Sequence, residues 1–98
     1  MSDNLKHLRK LLNDAVQEGL LLTAEYDDEI DYEGHDAAKC LDALTACDEM
    51  QLTLRYPGGR TFAGWALIIP SLEPDEVIVD TSGEWMNKWW EANLGSAA

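Results

Sequence analysis

Basic residues are scarce in this sequence. Seven Lys and Arg stand against nineteen Asp and Glu in 98 residues, a net charge of −12. Phosphate binding needs clustered Lys and Arg, so the scarcity argues against direct contact with DNA, RNA or an anionic membrane. Cysteines number only two, Cys40 and Cys47. There is no C-x-x-C and no second metal-spaced histidine, which removes a zinc site and a dithiol redox centre. On one helix the two thiols would lie about 10 Å apart at ~1.5 Å rise per residue, beyond the roughly 7 Å a disulfide spans. Free thiols fit a reducing cytoplasm.

Long apolar runs are also lacking. No stretch approaches the ~20 apolar residues of a membrane span. The start, MSDNLKHLRKLL, has no continuous apolar run of the signal-peptide kind. The expected location is therefore the cytoplasm. No phosphate-cradling Gly-rich loop, G-x-S-x-G, H-E-x-x-H or triad-like set occurs. A calcium loop fails as well. Asp27, Glu29 and Asp31 alternate as its ligands do, but Tyr32 replaces the required Gly and Ala38 the closing Glu. The expectation is a protein without cofactor, metal or catalytic residue.

What is present supports one folded domain over residues 1–98. Apolar residues make up 46% of the chain, enough for a modest core despite the charge. Leu5, Leu8, Leu12, Ala15 and Val16 recur at helical spacing, with Leu11 widening the stripe. Ser2, Asp3 or Asn4 can cap that helix, and Gly19 can close it. In LLLTAEYDDEIDYEG the period is two. Leu20, Leu22, Ala24 and Tyr26 share one face of a strand, and Asp27-Asp28 break it. Beyond the break, Ile30 and Tyr32 share a face, and Glu29, Asp31 and Glu33 share the other. The segment reads as a β-hairpin, with a helix as the competing form.

The next helix opens at Gly34-His35-Asp36, with Asp36 as N-cap. Ala37, Cys40, Leu41, Leu44 and Cys47 form its apolar stripe. Leu52, Leu54 and Tyr56 alternate along a third strand, and Pro57-Gly58-Gly59 marks a turn. The run TFAGWALII suggests a strand covered on both faces, or one crossing from open to buried surroundings. Val77-Ile78-Val79 is a short strand, and a helix follows from about Glu84, with Thr81 and Glu84 matching a capping box. The order α-β-β-α-β-β-β-α predicts an α+β class, with helices laid on an antiparallel sheet.

Two features stand out for function. From Glu18 to Glu33 there are seven carboxylates and no Lys or Arg. With strand spacing of ~3.4 Å per residue, Glu29, Asp31 and Glu33 would recur about 7 Å apart on one face, joined by Glu25. Such a strip suits a Lys/Arg-rich groove. It also suits a solvated sheet edge protected against aggregation. The partner-binding residues expected from this strip are Glu25, Asp27, Asp28, Glu29, Asp31 and Glu33. The second feature is Trp85, Trp89 and Trp90. Adjacent tryptophans point about 100° apart on a helix of ~3.6 residues per turn. Either all three close the core, or Trp89 and Trp90 mark an interface, for instance of a homodimer.

The elements also carry a likeness. A short helix ending in Gly19, a hairpin, DAAKCLDALTACDE, LTLRYPGGRTFAGWALII and VIVDTSGEWMNKWW follow one another. With Gly58-Gly59, Gly64-Trp65 and Ile78-Val79-Asp80-Thr81-Ser82, this pattern resembles small hypothetical proteins carried by bacteriophages and prophages. The resemblance implies an accessory phage protein acting in the cytoplasm of an infected bacterium. Small acidic phage proteins include anti-CRISPR and other DNA-mimic inhibitors. The implied function is non-enzymatic inhibition of a host protein or complex with a basic surface. Lys6, Arg9 and Lys10 depart from the uniformly negative surface of a duplex mimic.

Overall fold

The leucine spacing of the N-terminal segment produces α1 (Lys6–Gln17), which buries Leu8, Leu11, Leu12 and Ala15. The computed structural model describes residues 5–74 and 76–95. The expected caps Ser2, Asp3 and Asn4 lie outside the described residues. At the other end Gly19 adopts φ 79°. Its N–H donates to Val16 and the Leu20 N–H to Ala15, both at 3.0 Å. This paired closure needs a left-handed residue, which glycine supplies without a Cβ clash.

The next segment is the expected hairpin, β1 (Leu21–Tyr26) and β2 (Glu29–Gly34). Asp27 and Asp28 form its two-residue turn at φ 51° and 67°. Two positive φ values give the turn whose twist matches that of paired strands. Asp tolerates this conformation better than most residues with a Cβ.

Asp36 caps α2 (Ala37–Leu44), its carboxylate accepting from the Lys39 N–H at 3.1 Å. The Tyr32 hydroxyl accepts from the Asp36 N–H at 2.8 Å, tying the cap to the hairpin. The helix stops at Leu44, where the Thr45 hydroxyl bonds back to the Leu41 carbonyl at 2.9 Å. Cys47 therefore falls beyond the helix, half-buried, while Cys40 is fully buried in it; both are free thiols.

Three further strands complete the sheet: β3 (Met50–Arg55), β4 (Phe62–Ile68) and β5 (Ile78–Ser82). All pairings are antiparallel, in the order β2-β1-β3-β4-β5. Leu22 pairs with Leu54 and Leu54 with Gly64; Ala24 pairs with Leu52 and Leu52 with Ala66. These residues line one face and join the core with Leu8, Leu12, Cys40, Leu44 and Met86 from the helices. α1, α2 and α3 (Glu84–Asn93) thus cover the same side. No helix covers the other among the described residues.

β4 corrects the first of its two expected settings. It is internal, but its apolar run is not covered on both sides. Ala63, Ala66 and Ile68 are buried, whereas Trp65 and Leu67 are half-exposed. The capping box is a second correction. Thr81 lies inside β5, its hydroxyl bonded to Asn87 Oδ1 at 3.2 Å. The N-cap of α3 is Gly83 at φ 97°, with no side chain to bond. β5 runs one residue too far for the box, and the glycine turns the chain. A Cβ on Gly83 would lie 2.5 Å from Gly64 Cα, so two glycines let β4 and α3 approach closely.

Candidate functional site

Alternation alone would align the hairpin carboxylates, but the pairing does not. Ala24 pairs with Tyr32, and the next pair is Glu25 with Ile30. Asp31 is the extra residue of a β-bulge. A single insertion shifts every following side chain to the opposite face. Ile30 therefore shares a face with Glu25 rather than with Tyr32, and it is 57% exposed. Glu29 stands opposite Tyr26, Glu33 opposite Thr23, and Asp27 and Asp28 form the tip. The continuous strip of Glu29, Asp31 and Glu33 is thus corrected to a divided set.

Glu33 is also engaged. Its Oε2 accepts from the buried Thr23 hydroxyl at 3.3 Å, and that hydroxyl accepts from Arg55 Nη1 at 3.4 Å. This places a guanidinium near Glu33. Glu25, Asp27, Asp28 and Glu29 instead gather around the hairpin tip.

The topology recruits two carboxylates that sequence spacing did not single out. β3 is antiparallel to β1, so its N-terminal end meets the hairpin tip. One shallow depression is lined by Glu25, Tyr26, Asp27, Glu49, Met50 and Gln51. A neighbouring one is lined by Tyr26, Ala46, Cys47, Asp48 and Glu49. β4 ends beside Met50, so the loop bearing Glu73 and Glu76 leaves from the same sheet end. No Lys or Arg occurs in residues 25–34, 46–50 or 69–78. Arg55 and Arg60 occupy the opposite end, around the turn between β3 and β4. The sheet is therefore polarised, with negative charge at the hairpin-tip end. The signal for Asp48 and Glu49 was the base-free interval between Lys39 and Arg55.

The tryptophans divide differently. Trp89 is 6% exposed and belongs to the core. Its indole donates to Asp14 Oδ2 at 2.9 Å, and Trp85 donates to Glu18 Oε2 at 3.0 Å. Both bonds clamp α3 to α1. Burial raises the Asp14 pKa, but the bonds from Trp89 and Lys10, with the Lys10 charge, outweigh it, so Asp14 lies below the ordinary carboxylate value. Trp89 is thereby removed as an interface candidate, and Trp90 remains half-buried. Burial pushes the Cys40 thiol up to about 12, far from a reactive thiolate.

No three His, Cys, Asp or Glu side chains are grouped to hold a metal among the described residues. Among them, too, no helix is long and apolar enough to cross a membrane. No family model, curated protein or solved structure matches this chain.

Proposed function

We propose that this chain is a non-enzymatic inhibitor or modulator, of the anti-CRISPR-like phage type, that occupies a basic nucleic-acid-binding surface of a host protein complex. The observation that carries this reading is the polarised sheet end. Glu25, Asp27, Asp28, Glu29, Asp48 and Glu49 converge there without an interspersed base. Solvated faces ordinarily mix charge signs. A one-signed end raises the encounter rate with an oppositely charged surface, and salt screens it over ~8–10 Å. Inhibition then follows from occlusion and needs no catalytic group.

The test is capture from a bacterial host lysate at low and high salt, with the wild type beside an Asp27→Lys, Asp28→Lys, Glu29→Lys triple variant. These side chains are exposed, and because Asp27 and Asp28 hold positive φ, an Asp27→Asn, Asp28→Asn, Glu29→Gln variant, which removes the charges with residues that suit that backbone, runs alongside and is expected to lose the partner in the same way. The reading expects a partner held at low salt, released at high salt and lost by the variant. Equal capture by wild type and variant sinks the hairpin-tip assignment.

A further inference from the structure

The uncovered face of the sheet is an ordered surface. Cross-strand pairing sets Leu21, Arg55 and Phe62 in one row. Thr23, Thr53, Trp65 and Ser82 form the next, with Glu33 at its end. Glu25, Gln51, Leu67 and Asp80 form the third, continued by Ile30. The main apolar groups of this face follow β4, one strand in from the β5 edge, while the central β3 presents Gln51, Thr53 and Arg55. Trp65 and Leu67 are half-exposed and Phe62 is 51% exposed. The Trp65 indole donates to Gln51 Oε1 at 3.4 Å, fixing the ring against the neighbouring row. Glu25 and Glu33 lie toward one edge and Asp80 toward the other, while Arg55 is the base on the face and is engaged with Thr23.

We infer that this face docks a partner's amphipathic helix whose apolar stripe is flanked by Lys and Arg. Charge complementarity selects the occupant. An apolar strip along β4, with Asp80 beside it on β5 and Glu25 and Glu33 on the far side of β3, matches an apolar stripe carrying basic flanks. A second copy of the chain would oppose like-charged edges on molecules of net charge −12 each. A single-stranded nucleic acid would bring phosphates to Glu25, Glu33 and Asp80. The dimensions also agree. Five strands about 4.8 Å apart and ~3.4 Å per residue give a face roughly 20 Å on a side. One helix of about 13 residues, ~1.5 Å each and about 10 Å wide, lies across it. The inference rests on the proposed function for the sign of the partner, and on the sheet face for its apolar stripe.

The probe is a helical Leu/Lys peptide of about 14 residues, with a scrambled isomer of the same composition lacking the apolar stripe. Binding to the full chain is followed through the tryptophan indole N–H signals by nuclear magnetic resonance, with Trp65→Phe assigning one of them. The helical peptide moves the Trp65 signal and leaves that of the buried Trp89 in place. Leu67→Glu weakens binding at least roughly tenfold, the scale of one lost apolar anchor. Should Leu67→Glu disturb the circular dichroism spectrum, the unmodified chain still decides through its indole signals. An unmoved Trp65 signal or equal binding of the scrambled isomer overturns the inference. So does an oligonucleotide or a second copy that moves Trp65 where the peptide does not. The Asp27→Lys, Asp28→Lys, Glu29→Lys variant keeps the Trp65 response, because the hairpin tip lies off the apolar rows. A response lost in that variant and retained in Leu67→Glu overturns the sheet-face site and leaves the hairpin-tip reading standing. The reverse pattern, with lysate capture unaffected by the triple change, removes the hairpin-tip reading alone.

Discussion

Substituting alanine for Gly64 adds a methyl group where Met86 Cβ already lies. The same Cβ would stand 3.1 Å from the Met86 backbone nitrogen and 3.1 Å from the Ser82 carbonyl oxygen. A side-chain end could rotate away; backbone atoms cannot. The strain therefore falls on the junction of β5 and α3, which must separate from β4. Overpacking of this kind costs ~1–3 kcal/mol, and contact with backbone places Gly64→Ala toward the upper limit. For a domain of this size each kcal/mol lowers Tm by about 4–8 °C, so the fall should exceed about 8 °C. Urea unfolding followed by tryptophan fluorescence measures the change, with an unaltered slope against denaturant showing that the unfolded ensemble is the same. Gly83→Ala should also destabilise, since its methyl meets Gly64 Cα and its φ is 97°. The two changes strain one contact, so the double variant should lose less than the sum of the singles. A Gly64→Ala protein within about 0.5 kcal/mol of wild type would refute the close crossing of β4 and α3.

Four other outcomes follow from the same fold. Asp28→Gly relieves a left-handed residue in the hairpin turn and should raise stability by about 0.5–1 kcal/mol in thermal unfolding. Asp36→Ala removes the cap from the Lys39 N–H and should cost about 1 kcal/mol in the same assay. A thiol reagent should titrate Cys47 in the native protein and reach Cys40 only on unfolding. The Cys40 pKa is raised in the folded state to about 12 from 9.0, so the fold binds this proton more tightly than the unfolded chain does. Its contribution is fully present below pH 9.0 and is lost as pH rises toward about 12. Cys40→Ala should flatten that part of the stability profile.

The hairpin was legible because Leu22 and Ala24 alternate with polar residues and Asp27-Asp28 interrupt them. Helix α2 was legible because Asp36 precedes a helical stripe. The bulge at Asp31 was not, since Glu29, Asp31 and Glu33 alternate perfectly in sequence. Only pairing to β1 shows that Tyr32 and Ile30 face opposite ways. Thr81 and Glu84 have capping-box spacing, but pairing of Thr81 with Ala66 holds the threonine in β5. Asp48 and Glu49 reach the hairpin tip through the β1–β3 pairing, a contact between distant segments that local periodicity does not encode. Trp89 and Trp90 are adjacent but differ in burial, and the Trp89 indole bonds to Asp14, 75 residues earlier, a contact that local spacing does not encode.

The central claim is that the hairpin-tip end competes with nucleic acid for a basic surface. It is tested most directly with the captured partner bound to a labelled oligonucleotide, followed by fluorescence anisotropy. Wild-type protein should displace the oligonucleotide, less effectively as salt rises, and the Asp27→Lys, Asp28→Lys, Glu29→Lys variant should not. Displacement by the variant at wild-type concentrations, or simultaneous binding of protein and oligonucleotide, would contradict the account.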